Sequence, residues 1–119
     1  MIRVLHVLGG LNLGGAETMV MNLYRAIDRS QIQFDFIIHL QEHQAYEDEI
    51  REMGGRIYRF PKFSGKNIFE MRRIWKQFFL KHSEYKILHS HIRSYASVYM
   101  PIAKAAGLTT IVHSHSKSN

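Results

Sequence analysis

At 119 residues and 45% hydrophobic content the chain holds material for one core, so a single domain is the expectation. Its formal charge of +6 favours an anionic partner: nucleic acid, a phosphorylated small molecule or an acidic membrane face. The absence of cysteine excludes a disulfide framework and a thiolate zinc site and fits an intracellular protein. The N-terminal apolar run stops at Leu8, too short for a signal-peptide core, and no run of about 18 apolar residues occurs, so a soluble protein is expected.

The segment IRVLHVL (2–8) is aliphatic and β-branched without helical period, which predicts a strand buried on both faces. From Ala16 the apolar residues Met19, Val20, Leu23 and Ile27 recur at helical spacing and predict a helix ending near Asp28. FDFIIHL (34–40) predicts a second strand. AYEDEIREMGG (45–55) predicts a short helix, acidic in its first turn and closed by a glycine pair suited to a left-handed cap. RIYRF (56–60) predicts the third strand, ended by Pro61, and Asn67 is placed to cap an amphipathic helix over 67–82. Strand KILHSH (86–91), helix SYASVYMPIAKAAG (94–107) and strand TTIVHSH (109–115) complete the chain. Pro101 inside the fourth helix predicts either a kink or a late start.

Strict βα alternation without repeat or linker implies right-handed crossovers. The fold class is therefore α/β, a Rossmann-like three-layer α/β/α arrangement with a parallel sheet of about five strands in the order 3-2-1-4-5. Such sheets bind ligands beyond the carboxyl ends of their strands at the switch point, beside the loop after the first strand. That loop is GGLNLGGAE (9–17). Glycines there permit positive φ and close approach, and the amides opening the next helix favour an anion such as a phosphate; a merely tight turn is the alternative. The dinucleotide pattern G-x-G-x-x-G is absent, and Ala16 and Glu17 stand where a P-loop requires Lys and Ser or Thr, which argues against a nicotinamide cofactor and an ordinary ATPase.

RVLHVLGGLNLGGAETMVMNLYRAI, followed by ILHSHI and TTIVHSHS at the ends of the fourth and fifth strands, resembles the N-terminal domain of family 4 glycosyltransferases of the GT-B type, in the branch that builds bacterial capsular polysaccharides and exopolysaccharides. The resemblance covers the whole chain. It implies residues 1–119 form an incomplete, acceptor-side Rossmann-like domain, with the C-terminal nucleotide-sugar-binding domain absent. It further implies a retaining hexosyltransferase that moves a sugar from a nucleotide-activated donor to a glycan or lipid-linked acceptor. No cofactor is expected beyond the nucleoside-diphosphate sugar itself, no nucleic acid, and a cytoplasmic location, with a place at the inner membrane face as a further expectation. Alone, the 119 residues are expected to be inactive. The alternative is a non-catalytic basic module binding phosphorylated ligands or nucleic acid; no single-strand stacking motif accompanies its dispersed basic residues.

Carried over by residue, Gly14 and Gly15 match the family's glycine loop, and with Glu17 they form the expected substrate-binding set. A first-turn carboxylate such as Glu17 is also explained by the helix dipole alone. His91 matches a strand-end histidine and joins the substrate-binding set, and His115 matches the histidine beside the donor sugar and is the expected catalytic residue. His89 and His113 are expected in the core. The two HSH pairs place both rings of each pair on one strand face, but without a neighbouring carboxylate or anchor no metal is expected. The third helix sets an apolar stripe of Ile68, Met71, Ile74, Trp75 and Phe78 against Arg72, Arg73, Lys76 and Lys81. That pattern suits packing on the sheet, and it also suits an anionic membrane surface.

Overall fold

The computed structural model describes residues 1–11, 14–92 and 95–113. Elements alternate in the expected order: β1 (Ile2–Val7), α1 (Gly15–Ala26), β2 (Ile32–Ile38), α2 (Glu47–Glu52), β3 (Ile57–Arg59), α3 (Ile68–Lys81), β4 (Ile87–Ser90), α4 (Ala96–Ala105) and β5 (Thr109–Val112). All strand pairs are parallel, and the sheet order is β3-β2-β1-β4-β5. This is the expected Rossmann-like topology. α4 runs from Ala96 through Pro101, so the proline does not mark a late helix start.

Alternating side chains feed two cores. Phe34, Phe36 and Ile38 on β2 meet Val20, Met21 and Tyr24 on α1 and Ile50 on α2. On the opposite face Leu5, Val7, Ile37 and Leu88 meet Met71, Trp75, Phe78 and Phe79 of α3, with Tyr99 and Ala103 of α4. α3 thus buries its apolar stripe on the sheet, with Phe79 added.

Two local expectations are corrected. The buried stripe of α1 is Val20, Met21 and Tyr24, whereas Met19 and Leu23 are exposed. Tyr24 stacks on Phe34 at 5.1 Å and its hydroxyl donates to the buried Gln33 side chain, so the largest ring sets the rotation of the helix. Asn67 stands at the start of α3 without capping it. Its Oδ1 accepts from the Ser64 N–H at 2.9 Å and its Nδ2 donates to the Lys62 carbonyl at 2.9 Å, which closes the preceding loop instead. The expected glycine closure of α2 is present: Gly54 has φ of 94°, and the Gly55 N–H donates to the Ile50 carbonyl at 2.9 Å.

Asp35, fully buried on β2, links four segments of the sheet. Arg3 of β1 donates to it through Nε at 2.7 Å and Nη2 at 3.1 Å, the Arg56 N–H before β3 donates at 2.8 Å, and the Tyr85 hydroxyl before β4 donates at 2.6 Å. Removing the carboxylate strands donors in a dry environment. Asp35→Ala should therefore lower unfolding stability by about 3–5 kcal/mol in urea titration, the usual cost of breaking a buried charged pair from one side.

Candidate functional site

The carboxyl ends of β1, β2, β4 and β5 share one edge of the sheet, and the glycine loop leaves β1 there. None of Gly9, Gly10, Gly14 and Gly15 uses the positive φ that glycine permits. Space is what distinguishes them. A Cβ on Gly10 would lie 2.6 Å from Leu40 Cδ1, so this position is structural, whereas at Gly9 and Gly15 a Cβ would meet nothing within 4 Å. At Gly14, the residue preceding α1, a Cβ would lie 2.6 Å from Glu17 Oε1. The Glu17 carboxylate therefore folds back against the start of its own helix, where the amides favour negative charge. Gly14, Gly15 and Glu17 form one local group, and Gly15 is its open member.

On the other side of the same loop lies a cleft of about 330 Å³ lined by Gly9, His39, Leu40, Lys62, Phe63, Ile92 and Tyr95. Phe63 stacks on Tyr95 at 5.0 Å with the rings 13° apart, giving the cleft a flat aromatic wall. His39 anchors it: Nδ1 lies 3.0 Å from the Leu8 carbonyl, which can only accept, so Nδ1 carries the proton and Nε2 accepts from the Tyr95 hydroxyl. Burial pushes the His39 pKa down, partly offset by that carbonyl, and burial pushes the Tyr95 hydroxyl up. His39, Lys62, Phe63 and Tyr95 were not singled out from the sequence. His39 read as the end of a strand; Lys62 and Phe63 come from the β3–α3 connection and Tyr95 from the β4–α4 connection, which only the fold brings together.

The histidines form a second group. Parallel register sets His6 of β1 opposite His89 of β4, and the His91 N–H donates to the Val7 carbonyl at 3.0 Å one step further on. The His89 and His91 rings lie 4.2 Å apart, as the HSH spacing predicts, and His6 Nδ1 lies 3.0 Å from His91 Nε2. His91 is buried here, packed against His6. His89 and His113 are half-buried, and their rings are 5.7 Å apart. Burial, with the like charges of His91 and His89 adding to it, holds the His6 pKa well below the usual value. His115 lies outside the described residues.

The family model described as Glycosyltransferase Family 4 matches residues 13–118. The chain is 38% identical over 117 residues to a Bacillus subtilis (strain 168) protein named as a glycosyltransferase, EpsF, covering 98% of this chain and 30% of that protein. It also superposes on the crystal structure of Acinetobacter baumannii MurG with a TM-score of 0.67 at 11% identity, covering 96% of this chain and 35% of MurG, a likeness of fold. The chain thus spans about a third of the length of each.

The buried neutral His39 sets a pH dependence. The unfolded state takes up a proton near the ordinary histidine pKa of about 6.5, while the folded state does so only at lower pH. Stability is then fully present above about pH 6.5 and falls as the pH drops through the folded value. Urea unfolding at steps from pH 7.5 to 5 should show this decline, and His39→Gln should show a shallower one. A rise in stability on acidification would contradict the assignment.

Proposed function

The chain belongs to glycosyltransferase family 4, and from that premise we propose that it is the acceptor-side part of a retaining hexosyltransferase that moves a sugar from a nucleoside-diphosphate donor to a glycan or lipid-linked acceptor. The observation that carries this reading is the convergence at one sheet edge of an open glycine, Gly15, the strand-end histidines and a cleft walled by stacked Phe63 and Tyr95 beside Lys62. A flat aromatic wall suits the apolar face of a sugar ring, and a lysine beside it suits a phosphate. The activity needs no resident cofactor in this reading, and the site is cytoplasmic.

Retaining transfer builds positive charge on the donor sugar and negative charge on the departing diphosphate, so polar groups placed around both lower the barrier. His115, two residues beyond His113, is the proposed catalytic residue, orienting the donor ring through a hydrogen bond. Gly14, Gly15 and Glu17 are proposed to meet substrate at the start of α1, with His91 behind them. The donor is held between two domains in such an enzyme, so near-attack geometry needs both.

The apolar stripe of α3 that also suited a membrane is taken up by the sheet, so the membrane element of this proposal rests on two other residues, Phe69 and Leu80. Once Met71, Trp75, Phe78 and Phe79 are buried, Phe69 and Leu80 remain 79% and 83% exposed. Leu80 borders a groove of about 480 Å³ between α3 and α4, lined also by Lys76, Phe79, Pro101, Ile102 and Ala105, and Phe69 borders a recess with Arg72, Arg73 and Lys76. Apolar side chains set among cations support contact with an anionic bilayer, which would bring a lipid-linked acceptor to the cleft. Among the described residues no helix is long and apolar enough to cross a membrane.

Two outcomes are expected. The purified 119-residue chain should transfer no sugar, while in the two-domain enzyme His115→Ala should lower kcat/KM by about 100-fold with little change in Tm. Saturable nucleic-acid binding without nucleotide-sugar binding by that enzyme would favour the non-catalytic module instead. In vesicle sedimentation the chain should bind anionic but not neutral bilayers, and Phe69→Glu with Leu80→Glu should remove most of that binding. Equal sedimentation of the double variant would remove the membrane element from the proposal.

A further inference from the structure

Of the histidine group on the α1 side of the sheet the proposed transfer uses His91 alone, and the meeting of three rings there is left without a role. One ring nitrogen from each of His6, His89 and His91 lies within 4.8 Å of the others. We propose that these three side chains form a binding site for a first-row transition-metal ion of the zinc class.

The fold itself builds the triangle. Adjacent strands stand about 4.8 Å apart, and residues two apart on a strand share a face. His6 and His89 are direct cross-strand partners, and His91 follows His89 on that face. Three imidazoles are thereby presented from two neighbouring strands of a rigid sheet, with ring centroids between 4.2 and 5.2 Å. The two HSH pairs by themselves do not supply this set. The third ligand comes from β1, more than 80 positions away in the chain.

Distances fit a small ion. Tetrahedral coordination at about 2.0–2.1 Å places neighbouring ligand atoms roughly 3.3 Å apart. His6 Nδ1 and His91 Nε2 are already at 3.0 Å. With all three nitrogens within 4.8 Å, side-chain shifts of less than about 1 Å close the set around one ion. An all-imidazole donor set selects zinc, cobalt, nickel or copper over magnesium or calcium, which prefer oxygen. His6 is 1% exposed, so an ion seated on its Nδ1 would be held away from bulk water. Three protein ligands leave a fourth position, and the His113 ring, 5.7 Å from that of His89 and 5.8 Å from that of His91, is a candidate to fill it.

The test is direct titration of the 119-residue chain, stripped with chelator, with Co²⁺ followed by visible absorption and with Zn²⁺ followed by calorimetry. The expected result is saturation at one ion per chain, a four-coordinate cobalt spectrum, displacement of cobalt by zinc, and a higher Tm with zinc bound. His89→Gln and His91→Gln should each weaken binding about 100-fold or more, while His43→Gln, on an exposed histidine, should leave it unchanged. His89 is half-buried, so its variant keeps the test valid even where substitution of the buried His6 prevents folding. No saturable binding by the wild-type chain, or binding that survives in both His89→Gln and His91→Gln, would overturn the proposal. These outcomes are independent of sugar transfer.

Discussion

A single buried carboxylate organises this sheet. Asp35 collects donors from β1, from the residue before β3 and from the residue two positions before β4, so the segments around β2 are held in register by one charge. The Tyr58 hydroxyl, 2.9 Å from that of Tyr85, extends the network to β3. A buried carboxylate is tolerable only when its lone pairs are satisfied, and here each partner is fixed by a strand or its lead-in. Because the polar network sits toward the amino half of the strands, the opposite edge is free to carry loops, open glycines and a cleft.

That division explains why chemistry gathers where it does. The loop after β1 leaves the sheet at the point where the chain winds to either side, with α1 and α2 on one face and α3 and α4 on the other. The two faces are furnished differently. On one, His39 and Tyr95 brace a cleft with an aromatic wall; on the other, imidazoles from β1 and β4 stack over the sheet. The loop lies between two distinct environments, one walled by aromatic rings and one rich in imidazole nitrogens.

The glycine loop shows how a motif is recognised for one reason and works for another. Its glycines resembled a family pattern, and close approach of a ligand or a tight turn was the expected cause. In the fold, Gly10 is required by the Leu40 side chain, Gly14 lies beneath the Glu17 carboxylate, and Gly9 and Gly15 face open space. Glu17 joins the two expectations for it, since a carboxylate drawn to the helix start by the dipole also occupies the place that an incoming anion would take.

What the sequence by itself determined is the order of elements, the parallel topology and the edge that carries the glycine loop. Those follow from local periodicity and from the handedness of crossovers, which are properties of short segments and of the connections between them. The rotation of α1, the role of Asn67, the wall of Phe63 and Tyr95, and the meeting of His6 with His89 and His91 were decided by the tertiary structure. Asn67 bonds within its own loop, a choice between cap and turn that the residue type leaves open, and the others depend on residues from separate elements that only the fold makes neighbours. Met19 and Leu23 were as apolar as Val20 and Met21, and only the seat of Tyr24 against Phe34 and Gln33 chose between them. His6 read as one polar residue in a buried strand, because its partners lie beyond 80 positions and reach it through the pairing of β1 with β4.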